Sequence, residues 1–241
     1  MAIPYSSRKQ DNMLELLDQE TIEIILRTLR MTITSTAISA ILGVAFGLFL
    51  ESLQPTRTLP KFFKWLVVAV NRTLMGMPPV VMGLVVVLIF TRDGPLGFLR
   101  LMFTFEIMII AQVLLVTPII AGIVYTAASR NGERIRAFAH TMGASRLQTQ
   151  MLVIRELGNE IFFAIITGFG RAMSEIGAIV MVGGNIRHHT RVMTTTIALD
   201  TRRGFQDQAI QLGIVLMLVA FTIQIIADFL RKRERRNDEN F

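Results

Sequence analysis

From Met102 to Ala128 the sequence is apolar over a length sufficient to cross the hydrocarbon core of a bilayer, and Met31 to Leu50 and Ala209 to Leu230 are runs of the same kind. With 52% hydrophobic and 18% charged residues in 241, the chain is too apolar for a soluble domain of its size. In lipid each backbone N–H and C=O must be satisfied within the structure, so runs of this length are predicted to be helices. Two more stretches are apolar but interrupted. In the first, Phe62 to Met75 reads as an interfacial approach and Met77 to Phe90 as the deep part of a span, with Pro78-Pro79 breaking the helix between them. The second, Phe162 to Gly184, is glycine-rich and carries Arg171, Ser174 and Glu175. The expected fold is an all-α membrane protein with about five transmembrane helices.

Between the third and fourth spans lies the polar segment Arg130 to Leu157, RNGERIRAFAHTMGASRLQTQMLVIREL. Ile135, Phe138, Ala139 and Met142 recur at helical spacing before Gly143, and Leu147, Met151 and Ile154 do so after it. The pattern predicts helix, glycine break, helix, with apolar side chains facing something other than water. Arg130, Arg134, Arg136, Arg146 and Arg155 make the segment basic, which favours the cytoplasmic side. On charge alone it could equally be a topology signal.

The other connections sort by the same rule. Arg57, Lys61 and Lys64 and the tail arginines and lysine from Arg231 to Arg236 fall on the side of that segment. Arg8, Lys9, Arg92, Arg100, Arg187, Arg191, Arg202 and Arg203 fall on the other and are fewer, so the N-terminus is expected outside and the C-terminus inside. The layout is a polar segment 1–19, a transmembrane domain 20–230 with a cytoplasmic loop 129–158, and a basic tail 231–241. Asn185 to Gln206 is a polar connection. Gly43 and Gly47, four apart, would let another helix approach closely. Thr117-Pro118 marks a kink, and Gln112 is a buried polar candidate.

The formal charge of +7 resides in loops and tails, as topology signals do, rather than in a nucleic-acid-binding stripe. No cysteine is available for disulfides, thiolate metal sites or nucleophilic catalysis. Glycine is never followed by lysine, so there is no phosphate-binding loop and any ATP hydrolysis must come from a separate subunit. His188-His189 are adjacent rather than four apart, as a solvated loop would be and a helical metal pair would not. No serine sits in a nucleophile elbow, and no catalytic, cofactor or metal residue is assigned. Arg171 and Glu175 are four apart and can pair on one helical face, either as an internally satisfied structural pair or as part of a pathway.

Three blocks carry a resemblance. Ala137-Phe138-Ala139, Gly143-Ala144-Ser145 and Val153-Ile154 are similar to the coupling loop of ABC-importer permeases, Glu-Ala-Ala, three residues, Gly, nine residues, Ile-x-Leu-Pro. Here Ala137 replaces the glutamate and Arg155-Glu156 replaces Leu-Pro. Arg171 to Ala178 fits the Arg-Ala-x-x-Glu-x-Gly-Ala motif of oxyanion permeases, and the continuation through Gly184-Asn185-Ile186 to Thr195 resembles the tungstate branch. Pro78-Pro79-Val80-Val81 with Gly94-Pro95-Leu96-Gly97 resembles molybdate-type permeases generally.

The resemblance implies a type I ABC-importer permease of the cytoplasmic membrane, without a cofactor, that forms a homodimer around a central pathway. Its implied partners are two copies of a separate ABC ATPase, an extracytoplasmic oxyanion-binding protein, a second copy of the chain and the lipid bilayer, but no nucleic acid. It implies ATPase coupling through Ala137, Phe138, Ala139, Met142, Gly143, Ala144, Ser145 and Leu147. Pro78, Pro79, Arg171, Ser174, Glu175, Gly177 and Asn185 are the pathway or gate candidates, and tungstate, molybdate and sulfate are the candidate substrates. A secondary transporter and a non-transporting membrane scaffold are the alternatives, and co-purification with an ATP-hydrolysing subunit separates the permease from both.

Overall fold

The computed structural model describes residues 19–53 and 61–238. Residues 1–18 of the expected polar segment 1–19, with Arg8 and Lys9, and also Arg57 and residues 239–241 of the tail lie outside the described residues.

Helix α1 (Gln19–Ser52) joins the polar start at Glu20 to the whole Met31–Leu50 run, with an acid in its first turn where the helix dipole favours one. Helices α2 (Lys61–Met75) and α3 (Pro79–Phe90) follow, then a 3-10 turn at Gly97–Leu99. Helix α4 (Phe105–Thr141) begins at Thr104, whose hydroxyl accepts the Ile107 N–H at 3.4 Å. The short α5 (Arg146–Glu156) is followed by α6 (Gly158–Met173), α7 (Gly177–Gly183), α8 (Met193–Arg203) and α9 (Gln206–Asp238). Three helices are long and apolar enough to cross a membrane, at Gln19–Ser52, Phe105–Thr141 and Gln206–Phe229; the bent pairs α2–α3 and α6–α7 raise the number to as many as five.

The structure refines several expectations. The third span does not stop at Ala128: α4 continues unbroken to Thr141, so the first half of the 129–158 loop is helical extension. Nothing between Ala128 and Thr141 caps or breaks a helix, since Gly132 sits buried within it. Pro118 also stays inside α4, and Asn71 of α2 donates to its carbonyl at 3.3 Å. The expected break at Pro78-Pro79 is a restart after a 106° turn between α2 and α3, and the fourth span is divided by a 57° bend between Met173 and Gly177. The polar connection 185–206 contains α8, whose threonines cap it: Thr195 accepts the Val192 N–H at 3.1 Å.

Small residues set the packing, as expected where lipid removes the hydrophobic drive between helices. A β-carbon at Gly43 would lie 2.8 Å from that of Ile120, and one at Gly47 would lie 2.6 Å from the carbonyl oxygen of Ala121, so α1 and α4 touch backbone to backbone. Gln112 is fully buried and joins three helices. Its Oε1 accepts the Ser35 hydroxyl of α1 at 2.6 Å, and its Nε2 donates to the Ala172 carbonyl of α6 at 2.8 Å. Opposite these contacts Ile41, Phe46 and Phe49 of α1 and Met217, Phe221 and Phe229 of α9 face outward, as lipid-facing or partner-facing side chains do.

A helix-glycine-helix face and two facing helix breaks

Helix α4 ends at Gly143 for a backbone reason. Gly143 adopts φ +71°, its N–H donates to the His140 carbonyl at 3.1 Å, and the Ala144 N–H donates to the Ala139 carbonyl at 3.0 Å. This paired closure satisfies the last carbonyls of α4 and requires the left-handed residue that glycine supplies. Two residues later Ser145 starts α5 with a reciprocal cap, accepting the Gln148 N–H at 3.4 Å while Gln148 Oε1 accepts the Ser145 N–H at 2.8 Å. No atom lies within 4 Å of a β-carbon built at Gly143, so conformation and not crowding demands glycine there.

The segment has two apolar sides. Val153 and Leu157 are buried in a cluster with Leu48 of α1, Val124 and Ala128 of α4 and Ala164 of α6. Phe138, Met142, Leu147 and Met151 face outward, with Leu147 79% and Met142 72% exposed. Ala139, one of the implied coupling residues, is 1% exposed and points inward, away from that face. Ala137, Gly143 and Ser145 are exposed and Ala144 is half-buried. A groove of about 370 Å³ runs beside Phe138, lined also by Arg134, Ile135, Leu152 and Glu156. Exposed methionine, leucine and phenylalanine thus form a contiguous apolar face around the turn.

The structure brings Pro78, Pro79, Glu175 and Gly177 to one place. A β-carbon at Gly177 would lie 2.9 Å from Val80 Cγ2, and one at Gly83 would lie 2.8 Å from the Ala178 Cα. The short α3 and α7 therefore pack directly after their respective bends. Glu175, 3% exposed, holds the second bend from three sides: Oε1 accepts the Ala178 N–H at 3.0 Å, Oε2 lies 3.7 Å from Arg171 Nη2, and its carbonyl accepts the Thr194 hydroxyl at 3.0 Å. The Arg171–Glu175 pair expected on one helical face thus bridges a helix end, because α6 stops at Met173. Ser174 is exposed and its hydroxyl donates to the Arg171 carbonyl at 3.1 Å. Asn185 contacts the start of α8 instead; its Oδ1 accepts the Thr195 hydroxyl at 2.8 Å, one residue on from the Thr194 that bonds the Glu175 carbonyl. Below the first bend a cavity of about 560 Å³ opens between Met75, Gly122, Arg130, Asn131, Asn159 and Glu160, which sequence reasoning did not single out.

The start of the basic connection after α7 is paired with acids of α1. Arg187 and Arg191 both reach Glu20, Arg191 at 3.2 Å, and His188 Nδ1 lies 3.2 Å from Glu23 Oε2. Arg27 closes the group by donating to the Arg191 carbonyl at 3.0 Å. His188 is thus committed to a carboxylate, and the described residues contain no cluster of three or more potential metal ligands. Burial pushes the nearby Asp200 carboxyl up, against the pull of Arg191 and Arg203.

Among the described residues the chain is all-helical, with several apolar spans, two facing bends and an exposed apolar face, the architecture of a polytopic membrane protein. Residues 43–236 match the family described as binding-protein-dependent transport system inner membrane component, and the chain belongs to that family. It is therefore an ABC importer permease of the inner membrane. It is 41% identical over 209 residues to the tungstate uptake system permease protein TupB of Peptoclostridium acidaminophilum, covering 87% of this chain and 89% of the relative. A probable anion ABC transporter permease protein of Haloferax volcanii is 33% identical over 211 residues, 86% and 88% of the two chains. Molybdenum and sulfate transport permeases are more distant relatives. A chain from inward-facing conformations of the MetNI methionine ABC transporter superposes with a TM-score of 0.69 at 18% identity, over 91% of this chain and 98% of that one, which places the fold among ABC importer permeases.

Proposed function

We propose that the chain moves tungstate across the cytoplasmic membrane as the permease of an ATP-driven importer. The 41% identity to a tungstate permease over nearly the whole chain carries the substrate. The exposed apolar face around Gly143 supports the coupling: it is where a separate ATPase docks and pushes on α4. Two copies of the chain form the pathway, each bound to one of two ATPase subunits, and an extracytoplasmic binding protein delivers the anion. The N-terminus lies outside and the C-terminus inside, within the domain bounds 20–230 and tail 231–241.

In this mechanism α3 and α7, packed together past their bends, act as a gate beside the pathway, with Pro78, Pro79, Glu175 and Gly177 at its root and Arg171 and Ser174 at its edge. Arg171, balanced by Glu175, offers an anion a guanidinium without trapping it. Asn185 serves to hold α8. Reconstitution with the ATPase and binding protein tests the reading: ATP-dependent tungstate uptake is expected to resist competition by sulfate and yield partly to molybdate. Uptake equally inhibited by sulfate would contradict the substrate.

A further inference from the structure

An ion pair outside the two sites above links the docking face to the membrane domain. Arg136, on the extension of α4 two turns before Gly143, makes two contacts to the two carboxylate oxygens of Glu51 in the last turn of α1. The side chains are only 19% and 12% exposed. An acid in the last turn of a helix opposes the helix dipole, and α1 has no basic residue there to offset it. The compensation comes from outside: Arg136 takes the carboxylate, and Lys64 of α2 donates to the Glu51 carbonyl at 3.2 Å. Gly132, one turn before Arg136, lies beside the pair: a β-carbon there would sit 3.4 Å from both Arg136 Nη1 and Glu51 Oε1, in ordinary contact with them.

The pair also completes a register. On α1, Gly43, Gly47 and Glu51 lie on one stripe; on α4, Ile120, Val124, Gly132 and Arg136 lie on the stripe facing it. The two helices run parallel, with glycine contacts too close to let one slide past the other. At the cytoplasmic end this seam leaves the small-residue contacts, and the planar, bidentate guanidinium fixes orientation as well as distance.

We propose that Glu51 and Arg136 are positioning residues for transport: a strut that passes movement of the Gly143 turn from α4 into α1. The proposal rests on the permease reading. A pair that only stabilised the fold would lose stability when broken and leave transport per ATP unchanged. A strut would lose coupling.

The test uses the full complex in proteoliposomes, with tungstate uptake and ATP hydrolysis measured separately. Glu51→Gln and Arg136→Gln are expected to retain the ATPase and hydrolyse ATP within about twofold of wild type, while tungstate moved per ATP falls about tenfold. The double swap Glu51→Arg with Arg136→Glu is expected to recover most of that ratio. An unchanged ratio in both single variants overturns the proposal, as does loss of the ATPase from them, which would make the pair a support of the docking face. A swap that inserts and dimerises but stays as uncoupled as the single variants also overturns it. Wild-type complex that takes up no oxyanion contradicts the permease reading instead.

Discussion

Gly177 and Val80 are in direct contact, close enough that a β-carbon on the glycine would lie 2.9 Å from Val80 Cγ2. They follow two separate helix breaks and lock them together. Nearby, Gly83 would press a β-carbon against the Ala178 backbone at 2.8 Å. Backbone cannot yield as a valine side chain can. Gly83→Leu is therefore expected to cost about 2–3 kcal/mol by overpacking, and Gly177→Ala about 1 kcal/mol. Melting in detergent reads both, and a Gly177→Ala protein less stable than Gly83→Leu would refute the ranking.

Gly143 has open space but a left-handed backbone. Gly143→Ala is expected to cost about 1 kcal/mol of local order and Gly143→Asn less, because asparagine tolerates that conformation. ATPase retention on co-purification is expected in the order wild type, Asn, Ala. Equal retention in all three would mean that the turn's dihedral has no part in docking.

Gln112 joins α1, α4 and α6 through Ser35 and Ala172. Gln112→Leu keeps the volume and removes both hydrogen bonds, each worth about 0.6 kcal/mol within a membrane. The melting temperature is expected to drop by a few degrees. No drop would mean these bonds carry no net stability.

Asp200 supplies a pH dependence. Its carboxyl is held above its ordinary value of 3.8, chiefly by burial. The folded state then binds this proton more tightly than the unfolded chain, so the stability contribution is full at low pH and lost as pH rises through the folded-state pKa. Asp200→Asn removes that loss. The variant's melting temperature relative to wild type is expected to climb as pH rises from about 4 and then level off. A difference that is flat or falls with pH would contradict this.

The sequence showed the spans, the Gly43–Gly47 contact, buried Gln112 and the Gly143 turn because each is written in local pattern: apolar length, small-residue spacing, a lone amide in an apolar run, a glycine between amphipathic halves. What it concealed depends on distant partners. Pro78-Pro79 announces a break but not a 106° turn, which packing of Gly83 on Ala178 sets. The bend after Met173 has no proline and is held by the Glu175 carboxylate and Thr194. Helix α8 hides in a polar connection because threonine hydroxyls cap it. Ala139 has the spacing of its exposed neighbours, and only the packed structure turns it inward. Glu51 and Arg136 lie far apart in sequence, so the sole local hint was an acid at a helix end.

The most direct test of the account is ATP-dependent tungstate accumulation by the reconstituted complex carrying Leu147→Asp. Leu147 is exposed and fixed beside the capped start of α5, so the substitution leaves the membrane domain intact and places a charge on the face proposed to receive the ATPase. A charge left unpaired on docking costs several kcal/mol. The account predicts an inserted, dimeric permease that loses its ATPase and accumulates tungstate no faster than without ATP. Accumulation at the wild-type rate would show that the face around Gly143 does not couple ATP hydrolysis to transport.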